Sequence, residues 1–324
     1  MKPVEQVVMK PAILVIQRRS PQLLEALSRD YIVHDYGRAE DKDAFVANIG
    51  GDVRAALTNG RGGLSADLIG RLPNLEIICC FGVGYEMVDL DSCRARGITL
   101  ANAPGTNDLG VAEMALLLML AVTRKLPAAD AFAKANKWPD NSFERTHTIG
   151  GKKLGIVGLG RIGRKIVKRA QAFDMQIGWH GPHEKPAAPW RYFSDHVSLA
   201  YWSDYLVLAC PGGDATRHLI STKELEALGP NGILVNIARG SVVDPLAIIA
   251  ALQSGIIAGA GLDVFEGEPH LPEALRALEN VILMPHLGAI THEAFEARRY
   301  LLLDNLRAYF SGGPVLTPVD LRES

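Results

Sequence analysis

The first hundred residues alternate short apolar runs with stretches of helical periodicity. AILVIQ (12–17), YIVHDY (31–36), AALTNG (55–60), LEIICCFG (75–82) and ITLAN (98–102) are apolar runs of strand length. Runs without alternation suit strands covered on both faces. A helical pattern at 21–29 follows the first run, giving the βαβ rhythm of a parallel sheet. A long helix is expected over 107–125, ending before Pro127; it is apolar on most sides and so belongs between layers. The polar stretch 135–148, with Pro139, Asp140 and Asn141, reads as a connection. A second set of βα units then starts at KKLGIVGLGRIGRKIVKRAQAF. Its strands are expected at 154–157, 176–179, 205–209, 233–237, 259–262 and 281–284, and its helices at 161–173, 222–227, 245–254 and 272–278. A last helix, 291–310, should carry Arg298, Arg299 and Arg307 on a wet face.

Two domains are expected for 324 residues. A hydrophobic fraction of 48% with 22% charged residues is globular and excludes a disordered or fibrous chain. The net charge of −2 offers no basic surface, so neither nucleic acid nor an anionic membrane is an expected partner. Cys79 and Cys80 are adjacent while Cys93 and Cys210 stand alone, which is no disulfide framework. A reducing, cytoplasmic location follows. The apolar run at 12–16 is too short for a signal sequence and stops at Arg18-Arg19. The apolar stretch 112–122 contains Glu113 and falls short of the roughly 20 residues that span a bilayer.

Gly158-Leu159-Gly160-Arg161-Ile162-Gly163 is a GxGxxG motif between an expected strand and an expected helix, the context that makes it a dinucleotide loop. Gly158 permits the tight turn, Gly160 the approach of a pyrophosphate, and Gly163 close packing of helix on strand. The helix N-terminus offers N–H groups and partial positive charge to the phosphates. The alternative is a glycine-rich turn that binds nothing.

Cofactor choice is set at the end of the next strand, where an NAD site carries Asp or Glu. Here that position is His180, followed by Gly181-Pro182-His183-Glu184-Lys185. Asp174 lies before the strand and reads as a turn residue. Without a carboxylate at 180 a 2′-phosphate is not repelled, and His180, His183 and Lys185 are expected to meet it. NADP(H) is therefore the preferred cofactor, with NAD(H) possible. The opposing reading is a solvated loop with Glu184 against the phosphate.

Five blocks together resemble the D-isomer-specific 2-hydroxyacid dehydrogenases, most of all their glyoxylate/hydroxypyruvate reductase branch. They are FGVGYEMVDL (81–90), NAPGTNDLGVAEMALLLML (102–120), LGIVGLGRIG (154–163), VNIARGSVVD (235–244) and LDVFEGEPHLPEAL (262–275) running on to MPHLGAIT (284–291). ACPGGDATRHLI (209–220) resembles that loop in hydroxypyruvate and hydroxyphenylpyruvate reductases. The resemblance implies an α/β fold in which a Rossmann-type dinucleotide-binding domain, 103–287, is inserted into a flavodoxin-like substrate domain of 1–102 and 288–324. It implies an active site in the cleft between them and a homodimer formed through the nucleotide-binding domain. A chain ending soon after its last helix departs from relatives with a C-terminal regulatory domain.

Reduction of a keto group needs a proton donor, a cation for the carboxylate and a rigidly held hydride donor. Arg239, after the strand ILVNIA, offers a planar fork for a 2-oxo acid. His286, after VILMP, would donate the proton, and Glu268 in EGEP would orient its ring and favour the protonated form. The three fall on the family's catalytic positions, although each alone reads equally as a surface or turn residue. His270 and His292 are rival donors outside the PH motif. His34, His147, His196 and His218 lie in no motif. No two histidines have a helical metal-ligand spacing with an open third ligand, so no metal is expected.

The N–H groups of Gly82, Val83 and Gly84 are expected to face the substrate carboxylate, as in the family; a plain tight turn is the alternative. Asp263 matches the residue that bonds the nicotinamide amide, or it is a capping residue. Cys210, Pro211, Gly212 and Thr216 should line the cofactor groove with Ile237, Ala238 and Gly288. Trp138 is either an aromatic reaching a partner's active site or ordinary interface packing. A small 2-oxo acid is the implied substrate: glyoxylate, hydroxypyruvate, hydroxyphenylpyruvate or a sugar-derived acid. A non-catalytic NAD(P)-sensing corepressor is the competing class, but it need not keep Arg239, Glu268 and His286 together. A formate dehydrogenase would carry Gln in place of Glu268.

Overall fold

The computed structural model describes residues 10–17, 19–60 and 62–322. Arg18 and the first nine residues, read above for targeting signals, lie outside the described residues. The chain divides into two compact units, Met1–Thr106 with His292–Ser324, and Asn107–Thr291. The change-overs fall after 106 and 291, where 102 and 287 were expected. Local bonds explain both shifts. Ala103 N–H donates to Gly82 O and the Thr106 hydroxyl to Ala103 O, keeping this stretch with the first unit. The backbone at 286–288 is pinned to Asp263 of the second.

The first unit runs β1 (Ala12–Val15), α1 (Pro21–Ser28), β2 (Ile32–Asp35), α2 (Lys42–Ile49), β3 (Val53–Thr58), α3 (Ala66–Gly70), β4 (Ile77–Cys80), α4 (Leu90–Arg96) and β5 (Thr99–Ala101). All strand pairs are parallel, in the order β2-β1-β3-β4-β5, the flavodoxin-like arrangement. The central strands are buried on both sides: Ile13 and Val15 pack with Leu23 and Leu27, and Leu14 packs oppositely with Val46 and Ile78. That is why their sequences read as unbroken apolar runs.

The second unit runs α5 (Asp108–Thr123), α6 (Leu126–Lys134), β6 (Lys153–Val157), α7 (Arg161–Ala170), β7 (Gln176–His180), β8 (Arg191–Phe193), α8 (His196–Trp202), β9 (Tyr205–Leu208), α9 (Thr222–Leu228), β10 (Ile233–Asn236), α10 (Pro245–Gln253), β11 (Gly259–Leu262), α11 (Glu273–Arg276) and β12 (Val281–Leu283). Its seven parallel strands are ordered β12-β11-β10-β9-β6-β7-β8. Counted from β6 this is the Rossmann order 3-2-1-4-5-6, with a seventh strand at the far edge. The long helix expected at 107–125 is α5, buried along Ala112, Ala115, Leu118 and Met119.

In the second unit three elements escaped the apolar pattern, as α2, α3 and α4 did in the first. Helix α6 follows α5 directly, because Lys125 takes a left-handed conformation and Pro127 falls in the first turn of a new helix, where its missing N–H costs nothing. The edge strand β8, three residues long, and the helix α8, seven residues long, are too short for a period to stand out. The last helix, α12 (His292–Phe310), belongs to the first unit. Arg307 is exposed as expected, but Arg298 is buried, so the wet face does not include it. No helix among the described residues is long and apolar enough to cross a membrane.

Candidate active site

Parallel strands bring their carboxyl ends to one edge, where loops converge. In the second unit β10, β11 and β12 are neighbours, and each delivers part of one site at that edge. Arg239 follows β10, Asp263 and Glu268 follow β11, and His286 follows β12.

The histidine loop is built on Asp263, which is almost fully buried. Its carbonyl accepts from His286 N–H (2.9 Å), its Oδ1 from Leu287 N–H (2.7 Å) and its Oδ2 from Gly288 N–H (2.9 Å). Three successive amides thus converge on one residue. They hold His286 at φ +56°, a conformation rare for a residue with a Cβ. Asp263 is therefore a loop clamp, the capping reading of it. Gly288 packs on this carboxylate: a Cβ there would lie 2.9 Å from Asp263 Oδ2. His286 Nδ1 stands 2.8 Å from Glu268 Oε2, while Glu268 Oε1 accepts from Phe265 N–H at 3.2 Å. With Nδ1 bonded to the carboxylate, Nε2 is the ring atom left for other chemistry.

Arg239 is set by a residue outside the expected site. Asn236, at the end of β10 and 1% exposed, accepts from Ala238 N–H (3.0 Å) and donates through Nδ2 to Arg239 O (3.0 Å). The signal was the Asn of VNIARG, a polar residue closing an apolar strand. Gly240 then lets this loop meet the Glu268 loop, since a Cβ at 240 would come within 2.1 Å of the Phe265 carbonyl carbon. Gly212 lies against the Arg239 side chain. Ile237 and Ala238 are buried beneath it.

The glycine loop has the form a dinucleotide requires. Gly158 has φ +100°, and a Cβ at Gly163 would lie 2.3 Å from Gly158 O. A Cβ at Gly160 would meet nothing within 4 Å, so that glycine answers to no packing need of the protein. Gly160 caps α7 with no side-chain bond, leaving the helix N–H groups open to phosphate. Arg161 Nε is tied to buried Asp108 at 3.0 Å; Leu159 and Ile162 face inward.

At the end of β7, His180 Nδ1 is 2.9 Å from Phe193 O, which makes Nδ1 the protonated nitrogen. Lys185 Nζ donates to Leu159 O at 2.8 Å, bringing its ammonium to the glycine loop, whereas His183 is exposed. Asp195 also acts on this region, but its carboxylate is engaged by Ser198 N–H and hydroxyl. Across the groove, the Thr216 hydroxyl closes the turn on Pro211 O at 2.8 Å. Burial pushes the Cys210 thiol up to about 11, so it stays protonated. His218, outside any motif, bonds Glu266 Oε2 at 2.7 Å, and Arg217 bonds Oε1 at 2.8 Å. These contacts hold Glu266 below the usual carboxylate range, the His218 bond most of all. They also tie the 211–218 loop to the Glu268 loop. His270 and His292 are exposed.

In the first unit, the loop after β4 differs from expectation at one residue. Gly82 N–H is spent on Cys80 O at 2.9 Å. The N–H groups of Val83 and Gly84 have no acceptor among the described residues. Asn102 Nδ2, another residue not singled out, holds Val83 O at 2.7 Å.

Comparison with known proteins identifies the family. Residues 116–288 match the family model for the D-isomer specific 2-hydroxyacid dehydrogenase, NAD binding domain. The chain belongs to this family. It is an NAD(P)-dependent D-2-hydroxyacid dehydrogenase. It is 40% identical to glyoxylate/hydroxypyruvate reductase A of Arabidopsis thaliana over 95% of its own length and 98% of the relative's. Against 2-ketogluconate reductase of Gluconobacter oxydans the identity is also 40%, covering 96% and 99%. Among solved structures, the NADPH-dependent glyoxylate/hydroxypyruvate reductase of Sinorhizobium meliloti, in complex with NADP and malonate, superposes with a TM-score of 0.88 at 36% identity, covering 96% of this dehydrogenase and 97% of that chain.

Proposed function

We propose that this dehydrogenase reduces small 2-oxo acids of the glyoxylate/hydroxypyruvate type to D-2-hydroxy acids, preferring NADPH. The carrying observation is the His286–Glu268 pair, 2.8 Å apart, at the sheet edge where Arg239 also lies. The bound nicotinamide supplies the hydride. His286 gives its proton to the keto oxygen from Nε2, and Glu268 steadies the imidazolium on the other side. Arg239 bonds the carboxylate and the keto oxygen through its fork. Val83 and Gly84 present N–H groups to the carboxylate. The open α7 N-terminus takes the pyrophosphate, the turn 210–216 and residues 237–238 border the nicotinamide side, and His180 with Lys185 meets the 2′-phosphate. His180 supports NADPH because it stands where an NAD site has a carboxylate.

A sugar-derived 2-oxo acid is the second reading, favoured by the equal identity to the 2-ketogluconate reductase. A homodimer through the nucleotide-binding unit is supported by exposed Leu109, Leu117, Leu126 and Trp138. Four free cysteines support the cytoplasm. Glyoxylate, hydroxypyruvate, hydroxyphenylpyruvate and 2-ketogluconate assayed with NADPH and NADH, with chiral separation of products, test the proposal. An L-product, or no turnover of any 2-oxo acid, overturns it.

A further inference from the structure

One face of the seven-stranded sheet carries a hollow that the chemistry above does not use. We propose that it binds a flat aromatic carboxylate, with Tyr201 and Trp202 taking the ring and Lys153 and Arg191 the charge.

The register of three strands builds this hollow. Gly155 of β6 pairs with Gly178 of β7, and Gly178 with Arg191 of β8. Side chains two residues apart on a strand leave the same face. Lys153, Arg191 and Phe193 therefore rise on the face that the two glycines leave bare. Helix α8 lies on that face: a Cβ at Gly155 would come within 2.1 Å of Ser203 Oγ, and one at Gly178 within 2.6 Å of the Trp202 ring and 2.9 Å of the Phe193 ring. The glycine at 178 thus seats Trp202 on β7, with its ring centre 5.4 Å from that of Phe193. Neighbouring strands lie about 4.8 Å apart, so Lys153 and Arg191 spring from backbones about 10 Å apart, on either side of β7. The cavity around these side chains has a volume of about 520 Å³, and Ser198, Tyr201 and Ala227 complete its wall. That is the size of a small-molecule site. Lys153 opens β6 whereas the glycine loop follows it, so the hollow is separate from the phosphate-binding turn.

The two cations have no anion of their own. Lys153 Nζ lies 5.7 Å from the centre of the Trp202 ring, and the Arg191 guanidinium carbon 4.6 Å from that of Phe193 and 6.0 Å from that of Trp202. Neither group makes an ion pair or a hydrogen bond among the described residues. Other surface arginines do face carboxylates, as Arg54 faces Glu76 and Arg71 faces Asp43. An aromatic face attracts a cation through its quadrupole but does not neutralise it. No acid lines the cavity. Of the acids around it, Asp204 accepts from the Lys153 backbone N–H at 2.8 Å, Asp195 takes the N–H and hydroxyl of Ser198, and Glu226 on α9 is exposed. Tyr201 is 82% exposed and its ring meets no other ring among the described residues, which leaves a face free for stacking. The cations flank the indole and do not converge on one point. That suits a single carboxylate in the field of both, rather than a phosphate, which takes several convergent donors.

Saturation-transfer NMR on the whole protein, with NADP⁺ present, tests the site with 2-naphthoate as the probe. A Kd of about 1 mM is expected for an acid of this size. One cation about 5 Å away near a protein surface is equivalent to about fivefold in affinity, so Lys153→Gln and Arg191→Gln should each raise Kd about fivefold. Arg191→Lys should retain most of the binding. Tyr201→Ala should weaken it by a similar factor through the lost stacking. Cyclohexanecarboxylate, which has the charge without the flat ring, should bind more weakly than 2-naphthoate and be indifferent to Tyr201→Ala. No saturation transfer to 2-naphthoate at millimolar concentrations overturns the inference. So does equal binding by the wild type and the two Gln variants. Loss of binding in Arg239→Gln with none in Arg191→Gln would assign the acid to the active site and overturn it as well. Arg191 and Tyr201 are exposed, so their variants carry the test should Lys153→Gln not fold.

Discussion

His286 Nδ1 and Glu268 Oε2 lie 2.8 Å apart although the residues leave different strands, and Asp263 fixes the backbone that makes the pairing possible. The bond aims Nε2 away from the carboxylate, toward whatever the ring is to protonate. His286→Ala is accordingly expected to lower kcat by about 10²- to 10⁴-fold, with NADPH binding, followed by fluorescence titration, retained. Glu268→Gln keeps an oxygen for the Nδ1 proton and loses the charge, so a fall of about tenfold to a hundredfold is expected. Near-full turnover by His286→Ala would assign the proton to another donor.

Both sheets were legible because their central strands are covered on two faces, which writes an unbroken apolar run into the sequence. Elements at an edge, such as β8, have one neighbour and short runs, so Arg191–Phe193 did not register. Arg239, Glu268 and His286 were legible only together, through the blocks around them. What could not be read was the scaffold that aims them. Asn236 and Asp263 act through backbone amides of residues close in space, and a sequence does not show where a carboxamide or carboxylate oxygen points. Gly82 failed for the same reason: its N–H turned back on Cys80 O, leaving Val83 and Gly84.

Asn236 offers a test of that scaffold. It is buried and makes two backbone bonds around Arg239. Asn236→Ala strands a buried N–H and a carbonyl and should cost about 2–3 kcal/mol of stability in urea unfolding. It should also raise KM and lower kcat together, because Arg239 loses its fixed origin. Unchanged kinetics in a folded variant would detach Asn236 from the site.

The Glu266 carboxylate sits below the usual carboxylate range, chiefly through its bond to His218 and then through Arg217 and the charge on His218. A carboxyl group whose folded value is depressed stabilises the fold above its unfolded value, and that contribution disappears as the pH falls through the folded one. Thermal melting of the wild type should therefore show a loss below about pH 4.3 that Glu266→Gln partly lacks. Parallel melting curves for the two across the acid range would show that the bridge between the 211–218 and 265–268 loops carries no net stability.

Cofactor choice turns on His180. Its Nδ1 is committed to Phe193 O, so only Nε2 can reach a phosphate, and it donates there only when the ring carries a second proton. Lys185, anchored on Leu159 O, brings an ammonium group to the same side. One net charge-assisted bond to the 2′-phosphate corresponds to about tenfold in kcat/KM for NADPH over NADH. Because both groups border solvent, the ratio should shrink as salt is added. Lys185→Ala should reduce it while leaving NADH unaffected. His180→Asp should reverse it, since the new carboxylate would bond the ribose hydroxyls of NADH and repel the phosphate of NADPH. Equal kcat/KM for the two cofactors in the wild type would remove His180 from the selection of the cofactor, and Lys185 with it.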